Sequence, residues 1–324
     1  VYPTAIKLGM VLGVQRLHEE HKLLATAFAE KGREFQSILK VGRTQLQDAV
    51  PMTLGQEFGG FATTLREDHE RIKETIPFLC EINLGATAIG TGITADPRYS
   101  ESVRAHLEEL TGLDIRTAPD LIEATSDAGV FMTLSGTLKR AAVKLYKICN
   151  DLRLLSSGPQ AGLGEISLPA RQAGSSIMPG KVNPVIPEVV NQVAFAIIGS
   201  DATVTAASEA GQLQLNAFEP IIASSIMQSV VWLTNACRTL RVNCVDGITA
   251  NKDRLHQQVE ASVGVVTALT PYIGYVKAAT IAHEALAGGG TVRELVIAQG
   301  LMDADELEIS RSTPSHQLQP EAFD

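Results

Sequence analysis

The chain has 324 residues and a net charge of −9, and it contains no long basic run, which argues against a nucleic-acid partner. Its length is sufficient for one large domain or two, with a substantial core. Hydrophobic residues make up 45% of the chain but aromatic residues only 5%, so the core must consist mainly of Leu, Ile, Val and Ala, which favours packed helices. We expect no membrane partner, because no apolar stretch approaches the ~20 residues that a membrane span requires.

The cysteine pattern predicts buried free thiols rather than a disulfide framework. The four residues lie far apart inside apolar segments and form no C-x-x-C pair: Cys80, Cys149, Cys237 and Cys244. Free thiols are typical of a reducing compartment, and no signal peptide is evident, so we expect a cytoplasmic protein.

The first predicted helix carries an apolar stripe through Ile6, Met10 and Leu17. The run His18-Glu19-Glu20-His21 lies in this helix, but its spacing differs from the H-E-x-x-H arrangement of a zinc site. We therefore predict no metal there and interpret the two histidines as part of a solvated helix face.

A polar loop is predicted at Val41–Pro51, between the first helix and a second one whose apolar face begins at Leu54. Thr44 and Gln45 in this loop offer a hydroxyl and an amide, the uncharged groups that can orient a carboxylate or an ammonium. Both types are also typical of turns and helix caps, and taken alone these two residues favour that structural role.

The clearest helical signal in the chain is a run of apolar residues spaced alternately by four and three positions. That spacing predicts near-parallel packing in a bundle. Its members are Leu134, Leu138, Ala141, Leu145, Ile148, Leu152 and Leu155. Further long helices are predicted through Val190–Val204 and Pro220–Leu240.

The predicted fold class is all-α, a long-helix bundle followed by a small C-terminal helical domain. The run Asp246–Asn251 contains a glycine where the chain must turn, so we place the boundary there, with domains at 1–250 and 251–324. The last residues, Ser312–Asp324, show no period and are expected to be loose.

One run concentrates polar chemistry between two glycines. Gly174–Pro184 reads GSSIMPGKVNP and holds two adjacent hydroxyls, an ammonium and a side-chain amide. It leads into a predicted helix near Pro187 and Glu188, and proline is tolerated in a first turn because its missing N–H has no partner there. The run is thus predicted to be a polar loop at the positive end of a helix, which suits a ligand bearing carboxylates.

The pattern GSS-x-M-P-x-K-x-N at Gly174–Asn183 resembles the signature of the aspartase/fumarase superfamily, whose members eliminate fumarate from a succinyl compound. A second segment, Gly42–Ala49, resembles the same superfamily. Fumarases typically carry histidine where this chain has Gln45, so the likeness is nearest to the ammonia-lyase branch. The resemblance implies the reversible conversion of L-aspartate into fumarate and ammonia, and a helical-bundle fold.

The resemblance also implies roles for individual residues. Ser175 would be the general base that takes the C3 proton, with the aci-carboxylate dianion as the intermediate. Five residues would bind the substrate: Thr44, Gln45, Ser176, Lys181 and Asn183. The remaining residues of a flexible loop would be Gly174, Ile177, Met178, Pro179, Gly180 and Val182, with Glu188 as a supporting partner behind the substrate contacts. No cofactor and no metal are implied.

Members of the superfamily are homotetramers in which segments of three subunits build each site, and we expect the same assembly here, with a small-molecule substrate. Their N-terminal domain is expected to be absent from this chain, since two site segments known from the family are missing upstream of Val1. Two alternatives stay open: a fumarate hydratase with the same fold, and an inactive helical scaffold subunit.

Overall fold

The computed structural model of the chain describes residues 1–172, 177–178, 180–303 and 305–307. Within these residues the chain forms twelve α-helices: α1 Tyr2–Glu34, α2 Leu54–Glu74, α3 Ile76–Leu79, α4 Tyr99–Thr111, α5 Glu123–Ser126, α6 Gly129–Leu155, α7 Val185–Glu209, α8 Glu219–Asn243, α9 Lys252–Ala261, α10 Val266–Ile273, α11 Tyr275–Leu286 and α12 Val292–Ala298. The strands in the same part of the chain form three pairs: β1 Leu39–Thr44 with β2 Gln47–Thr53, β3 Glu81–Ile82 with β4 Arg116–Thr117, and β5 Ile166–Ser167 with β6 Thr249–Ala250. The predicted all-α fold class is confirmed.

The chain divides into two compact units, each assembled from separate stretches of sequence. Unit 1 consists of Val1–Ala27, Thr63–Arg153 and Pro169–Gly247. Unit 2 consists of Phe28–Ala62, Leu154–Leu168 and the chain from Ile248 on. The expected domain boundary near residue 250 stays a prediction.

Unit 1 is a helical bundle in which α6 supplies a continuous apolar face. The seven residues of the predicted four-and-three pattern all lie buried, so this prediction is confirmed. Helix α7 packs against α8. Polar contacts also connect α6 to α7, since the Asp201 carboxylate accepts a 2.8 Å hydrogen bond from the Ser135 hydroxyl and lies 2.5 Å from the Lys139 ammonium.

Helix α7 is, among the described residues, the one helix long and apolar enough to cross a membrane by length and composition, with a mean hydropathy of 1.3. The expectation that no apolar stretch approaches this length is therefore wrong, because small and aliphatic residues fill α7 and its three charged residues, Glu188, Asp201 and Glu209, lie far apart. A core helix of a bundle meets the same criterion, and α7 buries two polar side chains, Asn191 and Asp201, that bond within unit 1.

The interpretation of His18 and His21 as a solvated face is wrong. The His21 side chain is fully buried, and the His18 ring stacks on that of His69 of α2 with 3.6 Å between ring centroids. Helix α1 turns this face toward α2, so His21 lies inside unit 1 and His18 is half-buried against His69. Burial lowers the pKa of His21 to about 3, so its ring is neutral at neutral pH.

All four cysteines are buried free thiols, as predicted. Burial raises the pKa of Cys237 to about 12 and that of Cys244 to about 12. Because the thiolate is the reactive form, these two residues are unreactive members of the core.

Unit 2 contains several apolar clusters among the described residues. Four phenylalanines pack edge-to-face or tilted, at 5.2–6.0 Å between ring centroids: Phe28, Phe35, Phe58 and Phe61. The helices α10, α11 and α12 share a second cluster that includes Leu269, Ile281 and Val296. Helix α12 begins with a capping box between Thr291 and Glu294, which satisfies two backbone donors at its first turn.

Candidate active site

The segment carrying Thr44 and Gln45 is a β-hairpin in unit 2, not the predicted polar loop. Strands β1 and β2 pair antiparallel from Leu39 opposite Thr53 to Thr44 opposite Gln47. The sequence offers little signal for a hairpin, because the β-branched residues Val41, Thr44, Val50 and Thr53 do not alternate and the two-residue connection lacks the usual Asn-Gly. Thr44 and Gln45 are exposed at the tip of this hairpin.

The hairpin tip holds two consecutive non-glycine residues in the left-handed region of backbone space, Gln45 at φ 52° and Leu46 at φ 63°. Two positive φ values in a two-residue hairpin are the requirement of a type I′ turn. Each such residue costs about 1–2 kcal/mol. A tip of this kind persists only where the structure below holds it in place.

A buried network of charged side chains lies at the base of the hairpin. The carboxylate of Glu165 is fully buried, and its two oxygens each meet a cation. The Arg43 guanidinium donates to Oε1, and the Lys40 ammonium lies 2.8 Å from Oε2. Lys40 is also 2.6 Å from a carboxylate oxygen of Glu57. Buried charges require such pairing, since an unpaired one would be strongly destabilising.

The second strand of the hairpin has its own attachment in unit 2. The Ser262 hydroxyl donates to the Asp48 carboxylate at 3.1 Å. Gly264 lies so close to the hairpin that a Cβ there would be 2.0 Å from the Ala49 carbonyl oxygen. Both strands below the tip are thus held by neighbouring segments.

The second predicted segment lies in unit 1, at the start of α7. The described residues of the loop are Ile177, Met178, Gly180, Lys181, Val182 and Asn183, and all of them except the half-buried Asn183 are exposed. Helix α7 begins at Val185 with Pro187 in its first turn, as predicted. Lys181 and Asn183 therefore immediately precede the positive end of a 25-residue helix.

Two features of the backbone shape this loop. Gly180 has φ 80°, a conformation that favours glycine. The Lys181 amide donates to the Met178 carbonyl at 3.2 Å, and the Val185 amide donates to the Asn183 carbonyl at 2.9 Å. Gly174, Ser175, Ser176 and Pro179 lie outside the described residues, so the predicted base is not placed.

Glu188 lies in the first turn of α7, where the structure pairs it with a cation from α6. One of its carboxylate oxygens is 3.8 Å from the Arg153 guanidinium, and both side chains are partly exposed. One turn further along α7, the side-chain amides of Asn191 and Asn150 are hydrogen-bonded at 2.8 Å. Glu188 thus belongs to a polar contact between α6 and the start of α7.

The loop before α7, in unit 1, offers the chemistry of an anion site, because it combines an exposed ammonium at Lys181 with the positive end of a helix. In unit 2, the hairpin tip presents uncharged donors and acceptors at Thr44 and Gln45. In the described part of the chain, no group of three or more His, Cys, Asp and Glu residues could hold a metal ion.

Sequence reasoning missed Lys40, Glu57 and Glu165. One signal was present for Glu165, because it is the single acidic residue in the Gly-, Ser- and Pro-rich stretch 156–173. A lone carboxylate in such a stretch indicates a specific partner. The partner itself was not visible, since Arg43 lies 122 residues earlier.

Comparison with known proteins gives two matching family models. The model described as "Lyase" matches residues 1–199, and the model described as "Fumarase C C-terminus" matches residues 265–310. The first covers more than half of the chain.

Curated relatives are similar over nearly the whole chain. It is 61% identical to an aspartate ammonia-lyase of Pseudomonas canavaninivorans over 303 residues, which are 93% of this chain and 64% of that protein. It is 53% identical to one of Escherichia coli strain K12 over 307 residues, 95% of this chain and 64% of that protein. An aspartate ammonia-lyase of Helicobacter pylori strain 26695 is 51% identical over 322 residues, 99% of this chain and 69% of that protein. The chain therefore spans slightly less than two thirds of the length of the first two relatives.

Solved structures share the fold. A fumarate lyase:delta crystallin from Brucella melitensis bound to cobalt has a TM-score of 0.92 and 54% identity, covering 96% of this chain and 67% of that one. A class II fumarase from Schistosoma mansoni has a TM-score of 0.88 and 33% identity, covering 95% and 68%. Together with the family models and the curated relatives, these similarities establish that the chain belongs to the aspartase/fumarase family of lyases.

Proposed function

We propose that this protein is an aspartate ammonia-lyase, which reversibly eliminates ammonia from L-aspartate to give fumarate. The observation that carries the proposal is the 61% identity to the aspartate ammonia-lyase of Pseudomonas canavaninivorans over 93% of this chain. Gln45 at the hairpin tip supports the same branch, because fumarases typically have histidine there. The proposal concerns the whole protein, of which this chain has the Thr44–Gln45 and Gly174–Asn183 segments.

In the proposed reaction, Ser175 is the general base. Its alkoxide takes the C3 proton of L-aspartate, and the electron pair left on C3 delocalises into the adjacent carboxylate, which becomes an aci-carboxylate dianion. The pair then forms the C2–C3 double bond as the C2–N bond breaks and ammonia leaves. A serine hydroxyl is a weak base unless its alkoxide is stabilised, so Ser175 requires nearby donors or positive charge.

The dianion is the species that the site has to stabilise. Lys181 supplies a positive charge and Asn183 an N–H donor, and both come just before the positive end of α7. Ser176 would hold a substrate carboxylate together with them. Thr44 and Gln45 would orient the substrate from the hairpin tip, where their exposure leaves their polar groups accessible.

The loop around these residues would close over the substrate and exclude water. Gly174 and Gly180 would provide the conformational freedom, and the positive φ of Gly180 supports this role for that residue. The apolar side chains of Ile177, Met178 and Val182 are exposed, as a segment that covers a ligand requires before closure. Pro179 would stiffen the middle of the loop. Glu188 would support the start of α7 through Arg153.

We further propose a homotetramer with sites shared between subunits. Several large apolar side chains on α7 and α8 are exposed on this chain, among them Phe195, Val231 and Trp232, and exposed apolar area of this kind is typical of interaction surfaces. The proposed protein is cytoplasmic, acts on a small molecule and binds neither nucleic acid nor membrane. The net charge of −9 supports the absence of a nucleic-acid partner.

The test is a paired assay on this chain and on the full open reading frame that encodes it. Fumarate would be followed by its ultraviolet absorbance, separately from L-aspartate and from L-malate. Fumarate from L-aspartate alone is the expected result. Activity of the longer protein together with inactivity of this chain would place a required part of the site outside these 324 residues.

The second candidate is fumarate hydration, which the similarity to the Schistosoma mansoni class II fumarase favours. Formation of fumarate from L-malate alone would establish fumarate hydration. It would also show that Gln45 does not indicate the ammonia-lyase branch. If neither protein released fumarate from either substrate, the alternative of an inactive scaffold subunit would stand.

A further inference from the structure

We propose that Glu165 is a positioning residue for the candidate site: it holds the base of the β1–β2 hairpin so that the tip presents Thr44 and Gln45 in one fixed geometry. This inference rests on the proposed function, since it assigns Thr44 and Gln45 to the substrate. Glu165 itself lies below the hairpin tip and acts through Arg43.

Glu165 is itself held firmly. Its backbone amide donates to the Leu155 carbonyl at 2.8 Å, and its carbonyl accepts from the Asn251 amide at 2.9 Å. The loop before it is fixed by side chains at and after the start of α9: Asn251 Nδ2 donates to the Gly164 carbonyl at 2.8 Å, Arg254 donates to the carbonyls of Gly162 and Leu163, and Gln258 donates to that of Leu163. These hydrogen bonds fix the backbone of Glu165 and of the residues before it. The carboxylate therefore keeps its position, and its ion pair restricts the movement of Arg43.

Strand β1 brings two cations to this one carboxylate, since Lys40 and Arg43 both meet Glu165. In a regular strand these two side chains would point to opposite faces, because side chains alternate with a period of two. The pairing is irregular between them: from Val41 opposite Pro51 to Arg43 opposite Asp48, β1 has one intervening residue and β2 has two. The extra residue on β2 is the signature of a β-bulge in that strand.

Gly42 lies opposite the bulge, where the two strands approach closely. A Cβ at this position would lie 2.8 Å from the Val50 carbonyl oxygen of the partner strand. Because that atom is backbone, the strands would have to move apart to accommodate any side chain. Gly42 therefore keeps β1 close to β2 between Lys40 and Arg43, the two residues that pair with Glu165.

The tip depends on this base because its own conformation is unfavourable. Gln45 and Leu46 both have positive φ, and non-glycine residues in that region relax when their surroundings allow it. Without the Arg43–Glu165 pair, β1 would lose its attachment at the last residue before Thr44. The Asp48 carboxylate lies 3.9 Å from Arg43 and accepts a hydrogen bond from the Ser262 hydroxyl. Without the Arg43–Glu165 pair, the contact between Asp48 of β2 and Ser262 would be left to hold the tip.

The test uses the full-length protein with Glu165→Gln, which keeps the shape of the side chain and removes its charge. The matched control is Glu74→Gln, which removes an exposed ion pair with Arg71 at the end of α2. We expect kcat/KM for L-aspartate to fall by about 10- to 100-fold in Glu165→Gln, with KM raised, and to change less than about twofold in the control. Hydrogen exchange should accelerate at the amides of residues 42–48 and stay unchanged in α6, α7 and α8.

A second pair of variants keeps Glu165 in place, in case its replacement unfolds the protein. Arg43→Gln should lower kcat/KM and accelerate exchange at the hairpin tip, and Arg43→Lys should recover part of both, because it restores a positive charge beside Glu165. A role in global stability alone would change the free energy of unfolding without an effect on exchange confined to residues 42–48 or on kcat/KM. Arg43→Gln with unchanged kinetics and unchanged exchange at residues 42–48 would overturn the proposal.

The experiments test the proposed function separately from the role of Glu165. If the unmodified full-length protein releases no fumarate from L-aspartate, that proposal falls, while hydrogen exchange still decides whether the Arg43–Glu165 pair holds the hairpin. If the protein is active and exchange at the tip responds without any change in KM or kcat, the hairpin is held as described but does not position the substrate, and the inference is overturned.

Discussion

At the scale of single residues, the most unusual titratable group in unit 1 is His21. Its imidazole is fully buried, and both ring nitrogens lack a hydrogen-bond partner in the described part of the chain. Several charged or titratable groups influence the pKa values of His18, His21 and His69: Glu19, Lys22, Glu70, Lys73 and Lys144. For His21, burial has the largest effect and lowers the pKa from 6.5 to about 3.

This lowered pKa predicts loss of stability in acid. The unfolded chain binds a proton at His21 as pH falls below about 6.5, whereas the folded chain resists it until about pH 3. Stability is thus fully present above pH 6.5 and is lost as pH falls, by about 2 kcal/mol between pH 7 and pH 5 for one such group. Urea unfolding of the wild type and of His21→Leu at both pH values measures the difference.

The expected result is a smaller loss of stability on acidification in His21→Leu than in the wild type. His106→Gln is the control, because the His106 side chain is exposed on α4, and it should keep the pH dependence of the wild type. Equal pH dependence in all three proteins would show that His21 is protonated in the folded state near neutral pH.

The proposed catalytic residues lead to a second prediction at this scale. In the full-length protein, Ser175→Ala should lower kcat for L-aspartate by more than about tenfold, because it removes the base. Lys181→Ala should chiefly raise KM, because an ammonium that pairs with a substrate carboxylate acts in binding as well as in the transition state. Steady-state kinetics separate the two effects. A loss smaller than tenfold in Ser175→Ala would remove this residue as the base, and unchanged KM and kcat in Lys181→Ala would remove Lys181 from the site.

At the scale of secondary-structure elements, helix α6 is the main support of unit 1. Its apolar residues recur at four-and-three spacing, so one face stays buried along all 27 residues of the helix. The same helix carries the polar contacts that hold α7, through Ser135, Lys139 and Asn150. Lys181 and Asn183 come just before the start of α7. By holding α7, α6 therefore also influences the position of these two residues.

Truncation in the middle of the buried face should therefore be costly. Leu145 is fully buried, and Leu145→Ala is expected to lower the free energy of unfolding by about 2–5 kcal/mol through lost burial and the cavity left behind. Thr133→Ala on the exposed face of α6 should change it by less than about 0.5 kcal/mol. Urea denaturation compares the two variants, and similar values for both would contradict the packing described for α6.

At the scale of the whole molecule, the exposed apolar side chains of α7 and α8 are the feature that this chain alone leaves unexplained. Val189, Phe195 and Ile198 on α7 are exposed, as are Met227 and Val231 on α8. Large apolar area that stays exposed is unfavourable in water, and covering it by identical subunits would remove it. The proposed tetramer is the arrangement that accounts for these residues.

The corresponding prediction concerns assembly. The full-length protein should have the mass of four copies by light scattering after gel filtration. Val231→Glu should shift this mass downward and lower the rate of fumarate formation, because it places a charge in the contact and the sites are shared. Leu110→Glu on α4 is the control, since Leu110 is also exposed but lies on a different helix, and it should leave the mass unchanged. A monomer with full activity would contradict the proposal.

Much of this protein could be predicted without coordinates. Periodicity located the buried face of α6 and the beginning of α7 near Pro184, because amphipathic spacing and proline preferences act over a few residues. The candidate loop at Gly174–Asn183 was found because several reactive side chains lie close together in the sequence. Its base, Ser175, lies outside the described residues and stays a prediction, as does the domain boundary near residue 250.

Other features could not be predicted, because they depend on residues far apart in the chain. A hairpin stands where a loop was predicted, since Gln45 and Leu46 lack the usual turn sequence and yet both adopt positive φ values. His21 was placed on a solvated face because its neighbours in sequence are charged, whereas its neighbours in space are helices α2 and α6.

The helical architecture, the family resemblance and the residue types of the candidate site can be inferred from the amino-acid sequence, because each depends on spacing or on a contiguous motif. Only the folded structure shows that Lys40 and Arg43 share the buried carboxylate of Glu165, and that His21 is neutral and buried. The physical reason is that pairing of buried charges and desolvation depend on which surfaces meet, and packing brings together residues as far apart as Arg43 and Glu165.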